Sequence, residues 1–271
     1  MSLDWPMPDD DQAGDEYVKY ADVYDVLYGS REVDEAFYLG CARSELGPGG
    51  ELLEIGCGTG RLSQRFLREG YELTCIDASA HMLAQARRAL AKYEGRVRIV
   101  HEDARTLNLG RRFRLAMAPF AVVAHLLTNE DRYRAYRNVY EHLEPGGLFV
   151  FDDMPNWMAE PADGRSLEMH SSGRCPTTGH PVRLLCNSVD VADQPYSLRY
   201  DIIDWLDGER IVKRTVIRAV FRNIAMDEEL AILRDAGFGA IELLGGFDGR
   251  PLDRTRPSSN ERLIVLARRS S

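Results

Sequence analysis

The chain contains 271 residues, 44% of them apolar, and carries a formal net charge of −9. A chain of this length and apolar content can bury one substantial core, with room for a smaller appended unit. The acidic charge argues against a nucleic-acid partner, because such proteins present a basic surface to the phosphate backbone.

Cysteine usage and hydropathy exclude several further classes. The five cysteines are odd in number and form no C-x-x-C pair, so neither a disulfide framework nor a metal site is predicted. Apolar runs are too short for a membrane helix, and no signal peptide opens the chain. We therefore expect a cytoplasmic protein, monomer or homodimer, with no membrane partner.

The N-terminal part divides into two predicted units. Residues 1–16 are acidic and contain prolines, which predicts a loose leader. Residues 17–48 are predicted to form a helical lid. Its first helix is expected to carry four aromatic rings on one face, because they recur at helical spacing: Tyr17, Tyr20, Tyr24 and Tyr28. That face either packs on the core or covers a ligand.

A strand, a glycine turn and a helix form the centre of the chain. Residues 52–55 are predicted as a buried strand and residues 61–68 as the helix. Three glycines form the turn between them: Gly56, Gly58 and Gly60. Glycine lets a ligand lie against the backbone, and the helix N-terminus presents unpaired N–H groups. The next strand ends at Asp77, where a carboxylate can accept both hydroxyls of a ribose, so a nucleotide-type ligand is predicted.

The spacing of the glycines distinguishes between nucleotide ligands. A dinucleotide fingerprint is G-x-G-x-x-G, which fits a pyrophosphate. Here the third glycine comes one residue early, at Gly60, and Arg61 takes the position of the expected glycine. Glu54, two residues before Gly56, suits a positively charged ligand end better than a pyrophosphate. An NAD-dependent oxidoreductase is therefore the less favoured alternative.

The turn resembles the first motif of the class I S-adenosylmethionine-dependent methyltransferases. The motif runs from Glu54 to Gly60, and a similar order of features continues to about residue 153. An L-x-P-G-G sequence at residues 143–147 is another element similar to this family. The resemblance implies S-adenosylmethionine as the cofactor.

The resemblance also implies which residues bind that cofactor. At the position of Met82 the family commonly packs a side chain on the adenine ring, although ordinary core packing is the alternative. Asp103 would accept from the adenine exocyclic amine, and Phe120 would face the sulfonium, where a cation gains roughly 0.5–2 kcal/mol over an aromatic ring. The implied set is Tyr20, Glu54, Gly56, Cys57, Gly58, Gly60, Asp77, Ala78, Met82, Asp103, Ala104, Pro119 and Phe120.

Alternating strands and helices predict a parallel sheet within residues 49–153, the expected cofactor-binding core. Strands are predicted at 96–101, 113–118 and 148–152, with a helix at 129–143. Crossovers between such strands are right-handed, and ligands bind at their carboxyl ends. Five candidates lie at those ends: Gly56, Asp77, Asp103, Phe120 and Asp153.

The pattern changes over residues 154–225, which are predicted to form an antiparallel β insertion that roofs the acceptor pocket. Three strands are expected at 182–191, 196–206 and 210–224, with a hairpin at Asp207-Gly208. The stretch before them has no regular pattern. Expected substrate contacts come from this stretch and from the lid: Tyr17, Tyr24, Trp157, His170 and Arg174.

Residues 226–271 return to the core. A helix up to Ala236 and strands at 240–244 and 262–267 are predicted. The resemblance implies that the last strand is antiparallel. We therefore predict an α/β fold, with a doubly wound seven-stranded mixed sheet of the class I methyltransferase type.

The expected chemistry is methyl transfer by in-line displacement, with no metal. His125 is either a structural residue or the group that accepts a proton, and Tyr17 and Asp153 are alternatives. The chain is similar to the aminosugar N-methyltransferases of antibiotic biosynthesis, some of which carry a histidine in the matching segment. This implies a small-molecule acceptor, the amine of an aminosugar or related secondary metabolite. An O-methyltransferase and a non-catalytic S-adenosylmethionine-binding module remain alternatives.

Overall fold

The computed structural model describes residues 16–20, 22–29, 32–153, 167–191, 194–253 and 262–270. The helices in these ranges are α1 Tyr24–Tyr28, α2 Glu35–Leu46, α3 Arg61–Arg68, α4 Ala80–Leu90, α5 Asn129–Glu141 and α6 Met226–Asp235. Short 3₁₀ helices lie at Glu16–Lys19, Ala91–Tyr93 and Val122–His125.

The strands belong to two sheets. The first contains β1 Glu51–Ile55, β2 Glu72–Asp77, β3 Val97–His101, β4 Phe113–Ala118, β5 Leu143–Asp153, β10 Phe238–Leu244 and β11 Leu263–Arg269. The second contains β6 Glu168–Arg174, β7 Pro181–Asp190, β8 Tyr196–Asp207 and β9 Arg210–Arg222.

The large sheet has the order β10-β11-β5-β4-β1-β2-β3. Neighbouring strands from β1 to β5 pair in parallel, whereas β11 runs antiparallel to both β5 and β10. Helices cover both faces. The α5 and α6 side is packed around Tyr136 and Leu233, and the α2, α3 and α4 side around Phe66 and Leu83. The doubly wound seven-stranded mixed sheet is therefore confirmed.

The second sheet has one strand more than the sequence predicted. Its four strands pair in the order β6-β7-β8-β9, all antiparallel. Strand β6 is an edge strand with mostly exposed side chains, so it lacks the apolar alternation by which a strand is recognised. The expected hairpin at Asp207-Gly208 joins β8 to β9, with Gly208 at φ 59°.

The N-terminal tyrosine segment, residues 17–20 and 22–28, is not the single helix that the tyrosine spacing predicted. A 3₁₀ helix ends at Lys19 and α1 begins only at Tyr24. The four tyrosine rings still cluster, with neighbouring centroids 4.9–6.5 Å apart. Val23 and Leu27 pack with them against Trp205 and Ile217 of the second sheet. Packing on this sheet, and not a continuous helix, therefore brings the four tyrosine rings together.

None of the helices in the described ranges combines the length and apolar character needed to span a membrane. Nor do three or more histidine, cysteine, aspartate or glutamate side chains come together there as a metal site would require.

Candidate active site

A cavity of about 700 Å³ opens at the carboxyl ends of β1, β2 and β4. Ile55, Asp77 and Ala118, which end these three strands, all line it. Twelve of the residues expected from the sequence meet at its wall: Tyr17, Tyr24, Gly56, Gly58, Asp77, Ala78, Met82, Asp103, Ala104, Pro119, Phe120 and His125.

The glycine turn requires glycine because of both its dihedral angles and its neighbours. Gly56, Gly58 and Gly60 all have positive φ, at 66°, 56° and 86°. A Cβ on Gly56 would lie 2.7 Å from Val122 Cγ1, closer than two carbon atoms can approach. The turn therefore places bare backbone between the sheet and the 3₁₀ helix at Val122–His125.

Gly56→Ala is expected to lower the free energy of unfolding by more than positive φ alone explains. Strain from a left-handed residue costs roughly 1–2 kcal/mol, and the overlap with Val122 adds to it. Gly70→Ala is the matched control, because Gly70 also has positive φ but has open space around its Cβ position. Urea unfolding of both variants measures the difference, and equal losses would contradict a role for Val122.

Asp77 ends β2 and is held by the backbone on both sides. Gly58 N–H donates to Asp77 Oδ2 and Ser79 N–H to Oδ1, each at 2.8 Å. Burial raises the pKa of Asp77, although these two N–H groups oppose the shift. Ser79 Oγ in turn accepts from Met82 N–H at 3.3 Å as the N-cap of α4. The glycine turn and α4 thus fix the carboxylate at the cavity wall.

Asp103 faces the cavity together with Arg105, which the sequence did not single out. Arg105 donates from Nε and Nη2 to Asp103, with Nη2 at 2.8 Å from Oδ2, and also reaches Asp131. Burial works in the opposite direction, but these hydrogen bonds hold the pKa of Asp103 below its usual range. The Asp103 carboxylate is therefore ionised and oriented.

The turn after β4 is strained and is held by a buried carboxylate. Phe120 and Ala121 have φ of 67° and 55°, the positive values found among non-glycine residues of the described chain. Their N–H groups donate to Asp152 at 2.6 and 3.1 Å. Asp152 also accepts from Tyr38 and Arg262. Strain of this kind persists where surrounding contacts enforce it, and here it puts the Phe120 ring on the cavity wall.

Tyr17 and His125 form a pair at the cavity wall. The Tyr17 hydroxyl lies 2.8 Å from His125 Nε2, and the Phe221 ring packs on the imidazole with centroids 4.8 Å apart. Burial lowers the pKa of His125 to about 4. A neutral imidazole therefore faces the cavity, bonded to the tyrosine segment.

Four residues expected to bind the cofactor lie outside the cavity wall. Successive strand residues face opposite sides of a sheet, so Glu54 points toward α3, accepts from Ser63 Oγ at 2.6 Å and has its pKa raised by burial to about 7. Cys57 is buried among apolar side chains, and Gly60 is the N-cap of α3. Tyr20 donates its hydroxyl to Asp201.

Four further residues expected at the site do not lie on the described cavity wall: the candidate proton acceptor Asp153 and the expected substrate contacts Trp157, His170 and Arg174. Asp153 is fully buried and accepts from Arg132 Nη1 at 2.7 Å, so this paired carboxylate does not reach the cavity. His170 and Arg174 lie on the exposed edge strand β6, and Arg174 donates to Gly179 O. Trp157 lies outside the described residues.

The chain is similar to known methyltransferases. Residues 52–147 match the model of a methyltransferase domain. A dTDP-3-amino-3,4,6-trideoxy-alpha-D-glucopyranose N,N-dimethyltransferase of Streptomyces venezuelae is 35% identical over 54% of this chain, an alignment that spans 62% of that relative. A dTDP-4-amino-2,3,4,6-tetradeoxy-D-glucose N,N-dimethyltransferase of Saccharopolyspora spinosa is 28% identical, covering 86% of this chain and 90% of the relative.

A solved structure extends the likeness to nearly the whole fold. Streptomyces venezuelae DesVI superposes with a TM-score of 0.71 at 26% identity, covering 93% of this chain and 98% of DesVI. A methyltransferase from Clostridium acetobutylicum, described as S-adenosylmethionine-dependent, has a TM-score of 0.75 at 18% identity, over 94% of this chain and 99% of that one. The latter likeness concerns the fold alone.

The cavity wall has the chemical groups that S-adenosylmethionine needs for binding. Its wall presents bare backbone at two glycines and the Asp77 carboxylate, which suits a ribose. The charged side chains among the described residues of the wall are mostly acidic, which suits a cationic ligand: Asp77, Glu102, Asp103, Arg105 and Asp131. The chain thus contains a methyltransferase domain at residues 52–147 and has the fold of the class I S-adenosylmethionine-dependent methyltransferases.

Proposed function

We propose that this protein methylates the amine of an aminosugar or a related small molecule. The observation that carries the proposal is the neutral His125 paired with Tyr17 at the wall of a cavity that Val220 of the second sheet also lines. The curated relatives from Streptomyces venezuelae and Saccharopolyspora spinosa, both named as dTDP-aminosugar N,N-dimethyltransferases, support this class of acceptor.

We assign a role to four residues of the cofactor half of the cavity. S-adenosylmethionine, when bound, supplies a methyl group on a positively charged sulfur. Asp77 holds the ribose hydroxyls, Asp103 accepts from the adenine amine, and Met82 packs beside the base. Phe120 closes the wall on the methionyl side, where an aromatic face attracts a cation. Positioning of two ligands in this way can supply on the order of 7–11 kcal/mol of the barrier.

The low basicity of the His125 imidazole favours an amine over a hydroxyl as the methyl acceptor. A neutral amine attacks with its own lone pair and needs to lose a proton only after the bond has formed, whereas a hydroxyl needs a base during or before attack. Burial lowers the pKa of His125 to about 4, so its imidazole is a weak base for a hydroxyl. The pair of His125 and Tyr17 instead accepts a hydrogen bond from an amine N–H, which leaves the nitrogen lone pair free to attack the methyl group.

Two steps test the proposal. Calorimetric titration of the purified protein with S-adenosylmethionine, S-adenosylhomocysteine and NADH is expected to show binding of the two sulfur nucleotides only. Mass spectrometry then follows methyl transfer to a nucleotide-linked aminosugar and to its hydroxyl analogue. Methylation of the aminosugar alone supports the proposal. Methylation of the hydroxyl analogue alone would establish an O-methyltransferase, and binding without transfer to any acceptor would indicate a binding module.

The lowered pKa of His125 also predicts how stability depends on pH. The unfolded chain binds a proton at this histidine below about pH 6.5, whereas the folded protein does so only near pH 4. The unfolded state therefore holds more protons in this window, and stability falls as pH drops through it. Urea unfolding near neutral pH and near pH 5 is expected to show a smaller pH-dependent loss in His125→Gln than in the unchanged protein. His81→Gln, at an exposed histidine, is the control, and equal losses in all three proteins would contradict the burial effect.

A further inference from the structure

Asp201 of β8 joins the tyrosine segment to the second sheet. Its side chain is buried, with the residue 2% exposed. Both the Tyr20 and Tyr28 hydroxyls donate to Asp201 Oδ2, the latter at 3.3 Å, and Arg199 Nε donates to Oδ1 at 2.8 Å. Asp201 is absent from the cavity wall. Its contacts therefore serve the tyrosine segment rather than a ligand.

The two tyrosines bound by Asp201 pack against residues of the cavity wall. The Tyr20 ring lies 5.9 Å from that of Tyr17, whose hydroxyl meets His125 Nε2 at 2.8 Å. The Tyr28 ring lies 5.8 Å from that of Phe120. One buried carboxylate is thus connected to both sides of the proposed methyl-transfer region.

The charges around Asp201 keep these bonds in place. Burial, followed by the nearby Asp201 charge, raises the pKa of Tyr20 far above its usual value, and burial also raises that of Tyr28. Both hydroxyls therefore remain protonated donors at any physiological pH. Arg199 compensates the carboxylate and also donates to the Tyr28 hydroxyl at 3.3 Å. Hydrogen bonds to a charged acceptor are stronger than those between neutral groups.

We infer that Asp201 is a positioning residue that holds the tyrosine segment over the cavity and thereby sets the Tyr17 to His125 contact. The effect on turnover rests on the proposed function, but the effect on the segment does not. Asp201→Asn keeps the shape of the side chain and removes the charge that Tyr20, Tyr28 and Arg199 share. Tyr20→Phe removes one hydroxyl and keeps the ring in the apolar cluster.

A lysine-specific protease reports directly on release of the segment. The chain has three lysines, at positions 19, 92 and 213. Lys19 lies in the segment and directly precedes Tyr20, whereas Lys92 and Lys213 are exposed elsewhere. We expect cleavage after Lys19 to become roughly tenfold faster in Asp201→Asn, since a net loss of about 1.4 kcal/mol raises the open population of the segment tenfold. Cleavage at the other two lysines is expected to be unchanged.

Asp204→Asn is the matched control. Asp204 is also a fully buried carboxylate on β8, but its partners are Arg183 and Arg214 and not the tyrosines. Its variant is expected to leave the Lys19 rate unchanged, and Tyr20→Phe is expected to raise it. An unchanged Lys19 rate in both Asp201→Asn and Tyr20→Phe would overturn the inference. Equal acceleration at all three lysines would also overturn it, because it would indicate general loosening.

A second readout separates positioning from a merely structural role. If Tyr17 leaves His125, water reaches the imidazole, and its pKa, now lowered by burial to about 4, rises toward its usual value. An NMR titration of the histidine ring protons in Asp201→Asn, followed for the resonance that disappears in His125→Gln, measures this shift. A folded variant with an unshifted His125 would contradict the inference. Both readouts need no acceptor, so they stay informative even if the proposed methyl transfer fails.

Discussion

Asp77→Ala is expected to weaken the binding of S-adenosylmethionine roughly 100-fold. The carboxylate stands at the end of β2, on the cavity wall, where it can accept both ribose hydroxyls. Hydrogen bonds to a charged acceptor contribute about 1.5–3 kcal/mol each, so losing two costs about 3 kcal/mol or more. In the variant the Gly58 and Ser79 N–H groups also lose the carboxylate to which they donate, and this adds to the loss of binding.

Calorimetry with S-adenosylhomocysteine measures the effect without any acceptor. Glu72→Ala is the matched control, since Glu72 begins the same strand and is exposed. The control is expected to bind the ligand normally. An Asp77→Ala protein that melts normally and binds with unchanged affinity would remove Asp77 from the cofactor site, whatever the acceptor proves to be.

Arg132→Leu is expected to lower the free energy of unfolding by about 3–5 kcal/mol. Arg132 of α5 is fully buried and donates from Nη1 to Asp153 at 2.7 Å and to Glu229 at 2.8 Å. The Tyr136 hydroxyl, on the cavity wall, donates to Glu229. Removing the guanidinium would take the Arg132 charge away from two buried carboxylates, Asp153 and Glu229, at the point where α5, α6 and β5 meet.

The pH dependence of this loss tests its electrostatic origin. Burial already raises the pKa of Glu229, and losing Arg132 raises it further. A group with a raised folded pKa stabilises the fold when protonated and loses that contribution as pH rises. The difference in the free energy of unfolding between Arg132→Leu and the unchanged protein should therefore become smaller as pH falls from about 8 toward 5.

Arg134→Leu serves as the control on the same helix. Arg134 also pairs with a glutamate, Glu130, but the arginine side chain is 60% exposed. Surface pairs of this type contribute roughly 0.3–0.5 kcal/mol. Urea unfolding of both variants measures the difference, and a similar small loss from Arg132→Leu would refute the assigned role of the buried cluster.

Local patterns in the sequence were sufficient for the parallel part of the core sheet, whereas the antiparallel last strand was implied by the family resemblance. The strand that ends at Ile55, the glycine turn and the strand that ends at Asp77 each show their structure within a few residues, because burial on both faces demands continuous apolar runs. Right-handed crossovers then bring the carboxyl ends of these strands to one edge. The parallel pairing of these strands is confirmed, and Asp77, Phe120 and His125 meet at one cavity.

The same local reasoning was wrong where tertiary contacts override periodicity. The tyrosine spacing predicted one helix. Instead, the Tyr20 hydroxyl donates to Asp201, 181 residues away, and the helix is interrupted. Strand β6 gains its structure by pairing with β7 and shows no alternation of its own. In the Asp152-Asp153 doublet, the sequence pointed to Asp153 as a proton acceptor, whereas Arg132 binds it and Asp152 holds the Phe120 turn.

The sequence by itself determined the succession of strands and helices in the core, the glycine turn and the residues that end the central strands. Each of these depends on neighbours within about one turn or one strand, where sterics and apolar periodicity act. Only the tertiary structure decided which carboxylates face the cavity and which are buried with arginines, as with Asp77 against Asp153 and Asp201. A carboxylate has the same sequence signal in both places, and its role depends on the donors that the fold brings to it, such as Arg132 for Asp153 and Tyr20 for Asp201.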